Sequence, residues 1–209
     1  MERTGFCDLF AQRQVGFLEA ERAFRKAKLT TPRAAALAGI LFSVLLITSL
    51  AIIRISVPAD PQDAGEWISG SWKIINIALN IVPFAGIAFL WFIGVVRDRL
   101  GQDEDRFFAT VFLGSGLLFL GMLFMSTAIA GSTINLYGST QKIPLNSGIY
   151  TFGRTTTYEI MNVYTMKMAG VFMISTCTLS LRTGIIPSWM AFLGIILALF
   201  LLLSFGFFS

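Results

Sequence analysis

Glu159, Asn162, Val163, Met166, Lys167 and Gly170 lie at offsets of 3, 4, 7, 8 and 11 from the first of them. That spacing lines side chains along one stripe of an α-helix. A carboxylate, a carboxamide and an ammonium on one stripe could hold a small ligand, a lipid headgroup or an ion. Glu159 and Lys167 are eight residues apart, about 12 Å along the axis, so they do not touch, and Asn162 lies between them. The surrounding segment is apolar. A charge at membrane depth is costly, so Lys167 is expected to face other helices, pair, or snorkel outward.

A second polar set precedes it in the chain. Lys73, Asn76 and Asn80 fall on neighbouring helical turns, and Pro83 follows. Asn76 and Asn80 are four apart and face one way. Pro83 would free the carbonyl of Leu79 and allow a kink. The two sets together define a candidate polar pocket lined by Asn76, Asn80, Glu159, Asn162 and Lys167, with Arg54 at its rim. The competing reading of the same residues is interhelical hydrogen bonding plus a snorkelling lysine.

Other chemistry is poorly supplied. The chain has no His, which removes the commonest general base and metal ligand. Its two Cys, Cys7 and Cys177, cannot build a four-Cys metal or cluster site and are not expected to pair with each other. An intramembrane enzyme would have to use Glu159, Lys167 or a hydroxyl. The mixed run Arg97, Asp98, Arg99, Asp103, Glu104, Asp105, Arg106 reads as a solvated turn with helix-end pairing before it reads as a metal or acid–base site. Asp60, Asp63 and Glu66 lack the pattern of a dedicated calcium loop. No cofactor and no metal is expected.

The elements that would position these residues are membrane helices. Hydrophobic residues make up 55% of the 209 and charged ones only 13%, against roughly 25% charged in soluble domains. Five segments have spanning length and character: 34–55, 74–96, 107–130, 158–181 and 187–208. With the N-terminus inside, eleven of the 16 Lys and Arg fall on inward segments. The positive-inside rule then gives a cytoplasmic N-terminus and an outward C-terminus. The expected fold is an all-α integral membrane bundle of five transmembrane helices. It occupies 34–209, behind a cytoplasmic basic segment at 1–33.

Residues 1–33 do not read as a cleaved signal peptide. Phe6, Phe10, Phe17 and Phe24 share one face at about 100° per residue, with Arg22, Arg25 and Lys26 turned away. This predicts an amphipathic helix on the cytoplasmic leaflet or against the protein's own inner ends. Gly101 is expected to end the second span, Asp103 to cap the third, and Pro187 to open the fifth. The stretch 131–157, rich in Gly, Ser, Thr, Asn and Tyr, reads as the longest outer loop. Small residues at Ala35, Gly39 and Ser43, at Gly114 and Gly121, and at Gly194 and Ala198 mark expected helix contacts, within one chain or between copies.

Residues 33–39 (RAAALAG) and 182–194 (RTGIIPSWMAFLG) resemble a broad family of uncharacterised small bacterial multispan inner-membrane proteins. The resemblance covers about a tenth of the chain. It implies an inner-membrane location and transfers no catalytic residue. The leading functional expectation is a non-enzymatic membrane protein acting by interaction, as an accessory subunit or scaffold. The alternative is a small transporter, channel protomer or ligand-binding membrane protein using the polar face of helices two and four. Expected partners are membrane lipids and other membrane subunits or further copies of the chain, with no nucleic acid.

Overall fold

A computed structural model describes residues 34–58, 68–100, 106–139, 148–184 and 187–204. The amphipathic segment at 1–33, the acids Asp60, Asp63 and Glu66, and Gly101, Asp103, Glu104 and Asp105 lie outside the described residues. Everything regular within them is helical. Helix α1 (Ala34–Ser56) is followed by α2 (Ile68–Leu100) and α3 (Arg106–Ser139). A fourth rod is built from α4 (Ile149–Glu159), a π-helical segment (Ile160–Thr165) and α5 (Met166–Thr183), running on without a break. Helix α6 (Ser188–Ser204) completes the set.

Three helices are long and apolar enough to cross a membrane, over Ala34–Ser56, Gly70–Arg97 and Phe107–Tyr137. Their outward faces carry large apolar side chains such as Leu37, Ile47, Ile77, Phe84 and Trp91, all more than half exposed. In water such continuous apolar surface would drive aggregation, whereas hydrocarbon solvates it. The chain is a helical membrane protein on these grounds. Helix α6 is equally apolar along Ser188–Leu203 but shorter.

The polar stretch expected to be the longest outer loop is mostly helix. Helix α3 continues to Ser139, and α4 begins at Ile149. The hydroxyls that suggest a loop bond within the helices instead. Ser132 Oγ donates to Ala128 O at 2.8 Å, and Thr133 Oγ1 to Ile129 O at 2.8 Å. Two glycines in the left-handed region bound the fourth rod, Gly148 at its start (φ 72°) and Gly184 at its end (φ 64°), a conformation that costs a side chain most where glycine costs least. Pro187 stands one residue before α6 rather than in its first turn. Its carbonyl accepts the N–H of Met190 at 3.0 Å.

Helix α3 is central, packing against α2, α4, the π segment and α5, while α6 packs on α5. Helix α1 is fixed to α2 by Ser49 and by the Phe42 ring, 4.7 Å from Phe89. One half of the bundle is filled by phenylalanine. Phe89 is its hub, with ring centroids 5.4 Å from Phe119 and 5.1 Å from Phe172. Phe172 in turn stacks on Phe112 at 5.0 Å. Tilted and edge-on ring pairs of this kind favour one packing over others. At the far end of that half, the Arg182 guanidinium lies over the Phe108 ring at 4.4 Å, tying the end of α5 to the start of α3.

Candidate functional site: a slot between α1 and α4

The other half of the bundle holds two smaller clusters, one around Ile68, Tyr137 and Tyr150 and one around Ile75, Leu79 and Ile134, with an open space beside them. A cavity of about 180 Å³ lies at the end where α1 and α3 finish and α2 and α4 begin. Ile75, Leu79 and Val82 of α2 form its floor together with Leu123, Ala130 and Ile134 of α3. Leu50, Ile53 and Val57 form the α1 wall. Tyr150, Gly153, Arg154, Thr157 and Tyr158 form the α4 wall, continued by Met161 and Asn162 of the π segment. Leu50 and Tyr158 are lining residues that are also 36% and 41% exposed, so the mouth lies between α1 and α4 on the flank of the bundle.

Arg154 spans the end of this mouth beside the close of α1. Its guanidinium donates to the Tyr150 hydroxyl at 2.9 Å and to the carbonyl of Pro58, just beyond α1, at 3.2 Å. The same cation lies 5.7 Å from the Tyr158 ring centroid. A planar donor fork suits such a three-way tie. Gly153 makes the close approach of α4 to α3 possible, because an added Cβ there would collide with the Thr133 side chain.

Four Ser and Thr residues line the cavity, and each spends its single hydrogen on a backbone carbonyl. Ser126 donates to Thr157 O at 3.1 Å, Thr127 to Leu123 O at 3.0 Å, Thr133 to Ile129 O at 2.8 Å, and Thr157 to Gly153 O at 2.8 Å. The Ser126 bond crosses from α3 to α4; the others lie within one helix. Hydroxyls bonded in this way satisfy themselves without presenting a donor to the space beside them.

The residues expected to form a polar pocket do not all line this cavity. Asn162 lines the cavity. Asn76 donates to Asn135 of α3, and Asn80 donates back to Asn76 O at 2.8 Å. These two asparagines sit one residue, or about 100°, round α2 from the cavity residues Ile75 and Leu79. Glu159 and Arg54 are exposed, and Lys167 is half-buried. The stripe from Glu159 to Gly170 assumes an unbroken α repeat. The π segment, pairing i with i+5, turns the faces of α5 by roughly 100° relative to those of α4. Gly170 accordingly packs against Ala198 and Leu202 of α6.

Sequence reasoning passes over Tyr150, Gly153, Arg154 and Thr157 because their stretch reads as loop. A signal is present: Tyr150, Arg154, Thr157, Tyr158 and Met161 fall at offsets of 4, 7, 8 and 11, the spacing of one helical stripe. Compared with family models, curated proteins and solved structures, the chain has no significant match.

Proposed function

We propose that the chain is a multi-pass membrane protein of five spans that works by binding a ligand in the slot between α1 and α4, without catalysing a reaction. The N-terminus is cytoplasmic and the C-terminus lies outside, so the slot opens in the outer half of the membrane. The spans beyond the three apolar helices are the fourth rod, with the 18 residues of α5 continuing the π segment, and the 17 residues of α6. Seventeen residues rise about 26 Å, near the hydrocarbon thickness of ~30 Å. The distribution of Lys and Arg supports the orientation, and the resemblance of 182–194 supports a bacterial inner membrane.

One observation carries the binding reading: a cavity of about 180 Å³ in the bundle, walled by carbon and open on its flank. An apolar cavity of roughly 150 Å³ in a soluble protein stays dry and takes up benzene. The lining side chains among the described residues are apolar groups, hydroxyls, one carboxamide and one guanidinium. They suit holding a molecule better than transforming one.

A second reading, an accessory subunit or scaffold that assembles with other membrane chains or with itself, draws on α3. Gly114 and Gly121 have open space where a Cβ would stand, and Leu118 and Met125 beside them are about half exposed. Short residues on an outward face let another helix approach closely. Native mass spectrometry of the protein gently extracted from its own membrane separates the two. A lone chain or homo-oligomer retaining a bound small mass supports the slot. A stoichiometric complex with different chains and no retained mass replaces it with the subunit reading.

A further inference from the structure

We infer that the slot takes one hydrocarbon chain of a membrane lipid, entering sideways between α1 and α4 and lying along the bundle axis with its polar head at Arg154. This rests on the reading of the slot as a binding site and names what it binds.

The walls dictate the class of ligand. Ser126, Thr127, Thr133 and Thr157 direct their hydrogens to backbone carbonyls, so the long walls offer a ligand carbon surface. A sugar, nucleotide or amino acid would leave its own polar groups unmatched there, a desolvation cost of several kcal/mol per group in a non-bonding medium. A hydrocarbon chain has no such groups.

The shape selects a chain over a compact molecule. On α3 the lining runs from Leu123 to Ile134, about 16 Å at 1.5 Å per residue. The lining on α4 and the π segment covers a similar length, from Tyr150 to Asn162, so the space is drawn out. Its long axis follows the helices, which is also the direction of acyl chains in a bilayer. The mouth between Leu50 and Tyr158 opens on the flank that carries exposed apolar side chains, so a chain reaches the slot from the bilayer without crossing water. The polar end is at one place. Arg154, Tyr150 and Tyr158 stand together at the outer end, where a headgroup would lie. Asn162 stands some 12 Å further along the rod.

The test uses the full chain in vesicles of phosphatidylethanolamine and phosphatidylglycerol. Phosphatidylglycerols carry a photoreactive diazirine either near the carboxyl or near the methyl end of one acyl chain, and a photoreactive sterol serves in a parallel arm. After irradiation, adducts are mapped by peptide mass spectrometry. The expected result is adducts on inward-facing Leu79, Val82 and Leu123 as well as on lipid-facing residues such as Phe200. Methyl-end label should fall near Leu123 and Met161, and carboxyl-end label near Val57 and Tyr150. Ala130→Leu, which fills the slot, should lower the inward adducts roughly tenfold and leave those on Phe200 unchanged. The wild-type map decides even if that variant does not fold. Phospholipid adducts confined to outward faces overturn the inference, and a reversed order of the two labels overturns the head placement. Inward labelling by the sterol alone overturns the chain while leaving a binding slot. Inward labelling by no probe removes the slot reading as well.

Discussion

Ser49 of α1 donates its hydroxyl hydrogen to the carbonyl of Ala78 on α2 across 2.8 Å, and both residues are wholly buried. Leu50 and Leu79, the next residues along the two helices, line the slot, so this bond fixes the α1 wall to the floor. Interhelical hydrogen bonds within membranes contribute about 0.6 kcal/mol on average. Ser49→Ala should therefore lower stability by about that amount. Ser49→Leu, which forces bulk into a closed contact, should cost about 1–3 kcal/mol. Unfolding of the two variants in the same detergent measures the difference, and equal effects would show that α1 and α2 leave room for a larger side chain at this contact.

The Gly153–Thr133 contact gives a compensating pair. Gly153→Ala places a methyl group into the Thr133 side chain and should destabilise the protein by about 1–3 kcal/mol. Thr133→Ala in the same chain removes the colliding atoms and should restore most of that loss. A double variant no better than Gly153→Ala would place the origin of the effect elsewhere.

Asn76 and Asn135 hold α2 to α3 through a face of α2 turned about 100° from its slot residues. A double-mutant cycle with Ala at both positions should give a coupling of about 0.6 kcal/mol, and no more than about 1.7. Ligand retention should not change in either single variant. A loss of bound mass in Asn76→Ala would return this asparagine to the binding site.

Phe89 touches rings from α1, α2, α3 and α5. Phe89→Ala should cost about 3–5 kcal/mol, and Phe89→Leu distinctly less because it keeps most of the volume. Thermal scans in mixed micelles read both. A cost for Phe89→Ala below about 1 kcal/mol would mean that the ring cluster closes over the gap.

The helices are legible in the sequence wherever apolar content alone marks them, as in 34–55, 74–96 and 107–130. Their ends are not, because polarity is a poor guide past the apolar belt. Thr133, Thr157 and Ser132 look like loop residues by type, yet their hydroxyls fold back on their own helices. That resemblance to a loop hides Arg154, the residue that bridges α4 to the end of α1. The stripe from Glu159 to Gly170 misleads for another cause. Sequence spacing carries no mark of a switch from i→i+4 to i→i+5 pairing, so a face extrapolated across 160–165 loses its phase. Small residues do mark contacts at Gly39, which meets Phe92, and at Ala198, buried against α5. Gly114 and Gly121 instead look outward.

The π segment gives the fourth rod a spare residue. Its turns take up more chain than α geometry requires, with the Thr165 hydroxyl hydrogen-bonded to Ile160 O five positions back at 2.9 Å. Shortening the chain by one residue inside 160–165 would let the ladder close as ordinary α-helix while leaving the faces of α4 and α5 where they are. The same deletion elsewhere in the rod would swing every later side chain by about 100°. The rod thus has one place where its length can be trimmed without scrambling the surfaces it presents. What would change there is the stretch from which Met161 and Asn162 line the slot.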